Sequence, residues 1–157
     1  LGRDHRQPVG ENAGKRGRGF DGGKLVKGRK RHILVDSLGL LLTVFVTPAN
    51  VQDRDGGQSL IEQTRVVLSR LRTIFADGVY NGTFESFCYN VGWNLQIVRR
   101  SDKPGFHVLP KRWIVERTFA WLTRNRRLTA DYETNTSSSE AFIQLAMIRL
   151  MVRRLVN

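Results

Sequence analysis

Two acidic residues and two basic clusters carry the chemistry this sequence could perform. Asp77 ends the apolar run Thr73-Ile74-Phe75-Ala76 and is followed by Gly78, Val79 and Tyr80. An acid so placed projects from the carboxyl end of a buried strand into a cleft, where its oxygens suit a hard cation such as Mg²⁺. The simpler reading is a turn or helix-capping aspartate. Glu116 stands in Arg112-Trp113-Ile114-Val115-Glu116-Arg117-Thr118-Phe119-Ala120-Trp121-Leu122. On a helix, Arg112 and Glu116 share a face, with Trp113 and Trp121 packed nearby. A surface ion pair between Arg112 and Glu116 explains the same spacing.

The basic clusters are Lys24-Leu25-Val26-Lys27-Gly28-Arg29-Lys30-Arg31 and Arg124-Asn125-Arg126-Arg127. Their cations, Lys24, Lys27, Arg29, Lys30, Arg31, Arg124, Arg126 and Arg127, are the type that meets phosphate oxygens without reading sequence. Solvated charge is the competing reading. Arg149, Arg153 and Arg154 read as the solvent face of a last helix and the complement of its dipole.

The balance of the chain agrees with a polyanionic partner. Lys and Arg number 26 against 14 Asp and Glu, a formal charge of +12. Nucleic acid is favoured over a membrane surface, because neutralised phosphates release counterions and no stretch is long and apolar enough to span a bilayer. Cys88 is the only cysteine, so an intrachain disulfide and a cysteine-based zinc cluster are excluded and a reducing compartment, the cytoplasm, is expected. At 157 residues, with 40% hydrophobic and 25% charged residues, the chain fits one globular domain. It opens without Met and without an apolar signal core, so it resembles neither a secretory signal nor a complete natural N-terminus.

The elements that must position these residues follow from periodicity. Residues 1–30 are rich in Gly, Arg and Lys, and read as a basic, extended or disordered arm. His32-Ile33-Leu34-Val35 reads as a strand, Asp36-Ser37-Leu38-Gly39 as a turn, and Leu40 to Val46 as a second strand stopped by Pro48. Ser59 to Leu71 has helical spacing, Thr73 to Ala76 is a short buried strand, Gly82 to Val91 a helix and Asn94 to Val98 a strand. Arg99 to Pro110 reads as an ordered loop across the site, Lys111 to Arg124 as a helix, and Asp131 to Ser139 as a polar connection. A last helix, capped by Ser138 or Ser139, runs to about Leu155. The order predicts an α/β domain with a mixed sheet and helices on its faces, with one central strand absent.

Several of these runs together resemble a family. Gly19-Phe20-Asp21-Gly22-Gly23-Lys24, Lys27 through Gly39, Ala49-Asn50-Val51-Gln52-Asp53-Arg54-Asp55-Gly56, Ala76-Asp77-Gly78-Val79-Tyr80, the Arg112 to Leu122 run and Arg126-Arg127-Leu128 are similar, in order, to small insertion-sequence transposases of the DDE class. The resemblance covers about Gly17 to Leu155. It implies a ribonuclease-H-like fold in which two Asp and one Glu hold two divalent ions, Mg²⁺ or Mn²⁺. In such sites ions about 3.5 to 4 Å apart activate the nucleophile and stabilise the leaving oxygen at a DNA phosphate. Asp77 matches the second Asp, Glu116 the Glu, and Arg112 a basic DNA-contacting position. The family's later basic position falls on Thr123, beside Arg124. His32 and Asp36 also match family positions, at the hairpin, where a structural role is expected.

The first Asp of that family lies on a strand reading roughly Ile-Asp-Ser-Gln-Ser-Val-Lys-Thr, and no such segment is present. Asp4-His5-Arg6-Gln7-Pro8-Val9-Gly10-Glu11-Asn12 stands in its place. If these codons are GAT CAT CGA CAG CCA GTC GGT GAA AAC, dropping the first base gives Ile-Ile-Asp-Ser-Gln-Ser-Val-Lys. The hypothesis is that residues 1–16 are that strand's DNA translated in another frame; codons incompatible with the shifted reading would sink it.

The domain expected is therefore an incomplete DDE catalytic domain at 31–157 behind a basic arm at 1–30. The function implied is DNA transposition, with metal-dependent cleavage and strand transfer on double-stranded DNA at insertion-sequence ends and target. A fragment, or a frameshifted half completed by an upstream reading-frame product, would act in the cytoplasm beside the nucleoid, with homo-oligomers on DNA as a further partner. The alternative is a non-catalytic DNA-binding regulator of transposition.

Overall fold

The computed structural model describes residues 2–4, 18–23, 25–98 and 111–156. Its elements are strands β1 (Gly2–Asp4), β2 (Gly19–Asp21), β3 (Val26–Val35) and β4 (Leu41–Pro48), helix α1 (Asp53–Thr64) and strand β5 (Thr73–Asp77). Helix α2 (Thr83–Asn90), strand β6 (Asn94–Val98) and helices α3 (Arg112–Thr123) and α4 (Thr136–Val156) follow. Single 3₁₀ turns occupy Gly78–Tyr80 and Arg126–Leu128. The mixed α/β class expected from periodicity is present.

The long strand β3 organises the molecule. It pairs antiparallel with β4 from Arg29↔Pro48 to Val35↔Leu41, with β2 at Gly19↔Gly28, and with β1 at Arg3↔His32. Strands β5 and β6 form a separate parallel pair in register from Thr73↔Asn94 to Asp77↔Val98. Because side chains alternate across a strand, neighbouring β3 residues serve different cores. Leu34 packs with Leu60, Ile61, Ile74 and Phe84 under α1 and α2. Ile33 packs with Val44, Val46, Leu122, Ile143 and Met147 under α3 and α4. Each fully buried aliphatic side chain of these clusters contributes roughly 1.5–3 kcal/mol.

Order begins earlier than composition suggests. Gly19–Asp21 and Val26–Lys30 belong to the sheet, although residues 1–30 read as an arm. Charged residues were expected to stay outside the core; here each finds an internal partner. Lys30, on the face shared with Leu34, donates to Val51 O at 2.8 Å and lies 3.4 and 3.5 Å from Asp21 and Asp53. Arg29 and Arg31, on the Ile33 face, reach Asp131 at 3.2 Å and Leu128 O at 3.0 Å.

Helix α1 starts at Asp53 and ends at Thr64, six residues ahead of the expected start at Ser59. Asp53 and Asp55 in its first turn favour a helix N-terminus, and Gly56 carries its close approach to β3. A Cβ at Gly56 would overlap the His32 ring. Gly39, at φ +80°, plays the corresponding part in the hairpin turn, where a Cβ would stand 2.9 Å from Thr118 Oγ1. The final helix also starts earlier than expected, at Thr136. The loop expected at Arg99 to Pro110 lies outside the described residues.

Candidate functional site

Strand β5 presents Asp77 by alternation. Ile74 and Ala76 enter the core, so Thr73, Phe75 and Asp77 take the opposite face. The Lys111 ammonium sits 3.4 Å from the centroid of the Phe75 ring, which holds the start of α3 against that face. Asp77 Oδ1 accepts the Val79 N–H at 3.1 Å and so caps the 3₁₀ turn, while Arg54 Nε donates to Val79 O at 2.9 Å. The capping and functional readings are therefore compatible, since one oxygen serves the turn.

Helix α3 carries Glu116 on its exposed side, with Ile114, Thr118 and Leu122 buried beneath. The next residues anchor the helix to the hairpin turn. Arg117 Nη2 donates to Leu38 O at 2.8 Å and its guanidinium stacks 4.2 and 4.6 Å from the Trp113 and Trp121 ring centroids. Thr118 Oγ1 donates to Gly39 O at 2.8 Å. Asp36 Oδ1 in turn accepts the N–H groups of Leu38 and Leu40 at 2.9 and 2.8 Å. His32 Nε2 lies 2.9 Å from Thr47 Oγ1 in the interior. Asp36 thus ties the hairpin turn together and His32 sits in the interior.

A cleft of about 300 Å³ opens between the end of β3 (Leu34, Val35), β5 (Thr73 to Phe75) and the start of α3 (Lys111, Ile114, Val115). Asp77 follows Phe75 by two residues and Glu116 follows Val115 directly, so the elements that wall this cleft also carry both acids. Carboxylate oxygens are the right donors for Mg²⁺ or Mn²⁺. No group of three His, Cys, Asp or Glu side chains able to hold a metal ion occurs among the described residues. They do not complete a metal centre, and no cleavage step follows from them alone.

The cations expected to meet DNA fall into two sets. Arg29, Lys30 and Arg31 are 2, 6 and 2% exposed and held as described above. Lys27, Arg124, Arg126 and Arg127 are exposed. Arg127 pairs with Glu133 at 2.7 Å and lies over Phe142. Lys24 and the side chain of Arg112 lie outside the described residues. Sequence reading missed Asp131, the buried acceptor for Arg29 and for Ser139 Oγ at 2.8 Å, and Glu140, whose Oε1 takes the Val46 N–H at 2.8 Å. Alternation along β3 was the available signal, because it points Arg29 and Arg31 inward with Ile33.

Two groups have displaced pKa values. Burial, with Glu85 nearby, pushes the Cys88 thiol up to about 11, which makes it a packing residue at neutral pH. Burial also raises Glu140, against the opposing hydrogen bond from Val46. No helix among the described residues is long and apolar enough to cross a membrane.

Residues 4–151 match the family described as Transposase DDE domain, a span that takes in both acids, the cleft and both cores. The chain belongs to the DDE transposase domain family. A relative from Burkholderia cepacia, described as "Putative transposase for insertion sequence element IS402", is 32% identical over 126 residues, covering 75% of this chain. This DDE chain spans 60% of that relative's length.

Proposed function

We propose that this chain is the C-terminal catalytic portion of an insertion-sequence transposase acting on double-stranded DNA, with Asp77 and Glu116 as two of its three metal-holding carboxylates. The observation that supports the reading is that Asp77, at the carboxyl end of β5, and Glu116, on α3, belong to two elements whose neighbouring residues, Thr73 to Phe75 and Lys111, Ile114 and Val115, line one cleft, inside the family match. Mg²⁺ or Mn²⁺ bound there would polarise a DNA phosphate. Arg112, Arg124, Arg126, Arg127, Lys24 and Lys27 would hold the DNA backbone.

A ribonuclease-H-like sheet would place the strand bearing the first aspartate between β3 and β5. Two features support that reading. On the edge of β3 away from β4 the three residues Gly2–Asp4 of β1 pair with Arg31 to Ile33, while β5 and β6 form a separate sheet, and the cleft lies between Leu34-Val35 of β3 and Thr73 to Phe75 of β5. The third carboxylate would come with that strand, from the shifted frame of residues 1–16 or from an upstream reading-frame product. The catalytic domain would then extend ahead of Arg31, because β1, β2 and the first residues of β3 join the sheet. Action on chromosomal DNA would place it in the cytoplasm, beside the nucleoid.

The test is a frame-restored chain in which residues 4–12 are replaced by Ile-Ile-Asp-Ser-Gln-Ser-Val-Lys. It should nick supercoiled DNA with Mg²⁺ or Mn²⁺, and Asp77→Ala and Glu116→Ala should each abolish nicking, while the original chain binds without nicking. A restored chain that binds DNA yet never nicks would favour the non-catalytic regulator. Nicking that survives both substitutions would remove the assigned acids.

A further inference from the structure

Beyond Glu116, the far end of α3 meets α4 around a second concavity, of about 170 Å³. Arg124, the residue that follows the last turn of α3, and Arg149 and Arg153 of α4 all line it, over a floor that includes Trp121, Leu122 and Met147. Arg149 and Arg153 are one helical turn apart and so share a face. Like charges at that spacing repel, and the sequence reading gave them no use beyond solvation and the helix dipole.

Among the described residues, none of these three guanidinium groups makes a hydrogen bond or ion pair. Arg29 and Arg127, which each hold a carboxylate, differ in this respect. The wall is also fixed: Trp121 is stacked by Arg117 at 4.6 Å and Arg154 at 4.5 Å. Apolar walls strengthen the field of the cations within, because they exclude water from part of the surrounding space. An anion arriving here would relieve the mutual repulsion of three positive groups and accept from several N–H donors at once.

We propose that Arg124, Arg149 and Arg153 form a phosphate-binding pocket for the nucleic-acid backbone, an anchor separate from the carboxylates. The position suits a contact away from the reacting bond. Arg124 lies eight residues beyond Glu116, about 12 Å along the helix at about 1.5 Å per residue, or roughly three to four base pairs of rise. The pocket therefore holds DNA in register while adding no base preference.

This inference rests on the DNA reading of the preceding subsection, and the experiment separates the two. Binding of the full chain to a fluorescent duplex is measured by anisotropy across a salt series, for the wild type, for Arg149→Gln/Arg153→Gln, and for a charge-matched control, Arg65→Gln/Arg70→Gln, at exposed positions on the α1 side. Each lost phosphate contact lowers the salt slope by about 0.9, so the pocket variant should lose about one to two units and bind more weakly on every sequence. The control should keep the wild-type slope, and all three should unfold at the same temperature.

A wild type that does not bind duplex DNA defeats the function reading itself. A wild type that binds, with a pocket variant of unchanged slope or a control that loses as much, overturns the pocket alone. Saturable phosphate binding in the wild type that the variant lacks, without a change in DNA slope, would mark a free-anion site and overturn the DNA assignment.

Discussion

Strand β3 and the junction of α3 with α4 are both rich in cations, and they use them in opposite ways. On β3 the guanidinium of Arg29 is enclosed by Asp131, Ser139 and the carbonyls of Glu133 and Thr134. At the junction Arg124, Arg149 and Arg153 line an open concavity with no such partner among the described residues. Charge density along the chain does not separate these cases. What separates them is whether an internal acceptor is within reach, and that is set by which face of which element the residue occupies.

The sharpest way to break this contrast is Arg29→Ala. Removing one partner leaves Asp131 buried without its cation, a loss of roughly 3–5 kcal/mol for a buried pair, read as a lower denaturant midpoint. Arg29→Met with Asp131→Leu should recover part of it, because no buried charge is left, although Ser139, the Glu133 N–H and the Glu133 and Thr134 carbonyls lose their partners. A surface cation would show neither effect. DNA affinity measured under folded conditions should be unchanged.

Gly56→Ala comes next, since the added methyl must displace the His32 ring from its place beside Thr47. Overpacking of this kind costs about 1–3 kcal/mol, and thermal unfolding measures it. Arg127→Gln belongs to the opposite group. The Arg127–Glu133 pair is exposed on the arginine side, so its loss should cost at most about 1 kcal/mol in denaturation while still lowering DNA affinity. A larger stability loss would move Arg127 into the structural set.

The smallest effect concerns Glu140, which joins α4 to β4. Its folded pKa is raised, so between its unfolded and folded values the native state binds more protons than the unfolded state. Stability must then fall as pH rises from the ordinary glutamate range through the folded value. Glu140→Gln keeps an acceptor for the Val46 N–H and has nothing to ionise, so its denaturation midpoint should lose this part of the pH dependence. An identical pH profile in wild type and variant would contradict the assignment.

Much of this architecture was legible in short periodic runs. The second hairpin strand, the Thr73–Asp77 strand, the Asn94–Val98 strand and helices α2 and α3 lie within a residue or two of the spans that periodicity gives, because each combines a clear period with a breaker. The basic part of β3 was not, because Asp131 lies 102 positions away in the sequence and nothing local announces it. Nor was the start of α1, where Gly56 and Gly57 read as a loop although packing against His32 requires a small residue. Asp77 and Glu116 were identifiable from their flanking runs. That β5 and α3, the elements carrying them, border one cleft needed the packing of Lys111 over Phe75.

The most direct test of the assigned carboxylates is Mn²⁺ binding, followed by electron paramagnetic resonance in the frame-restored chain. Saturable binding that is lost in Asp77→Ala and in Glu116→Ala, and that is much weaker in the chain without the restored strand, is the predicted result. Binding indifferent to both substitutions would contradict the account.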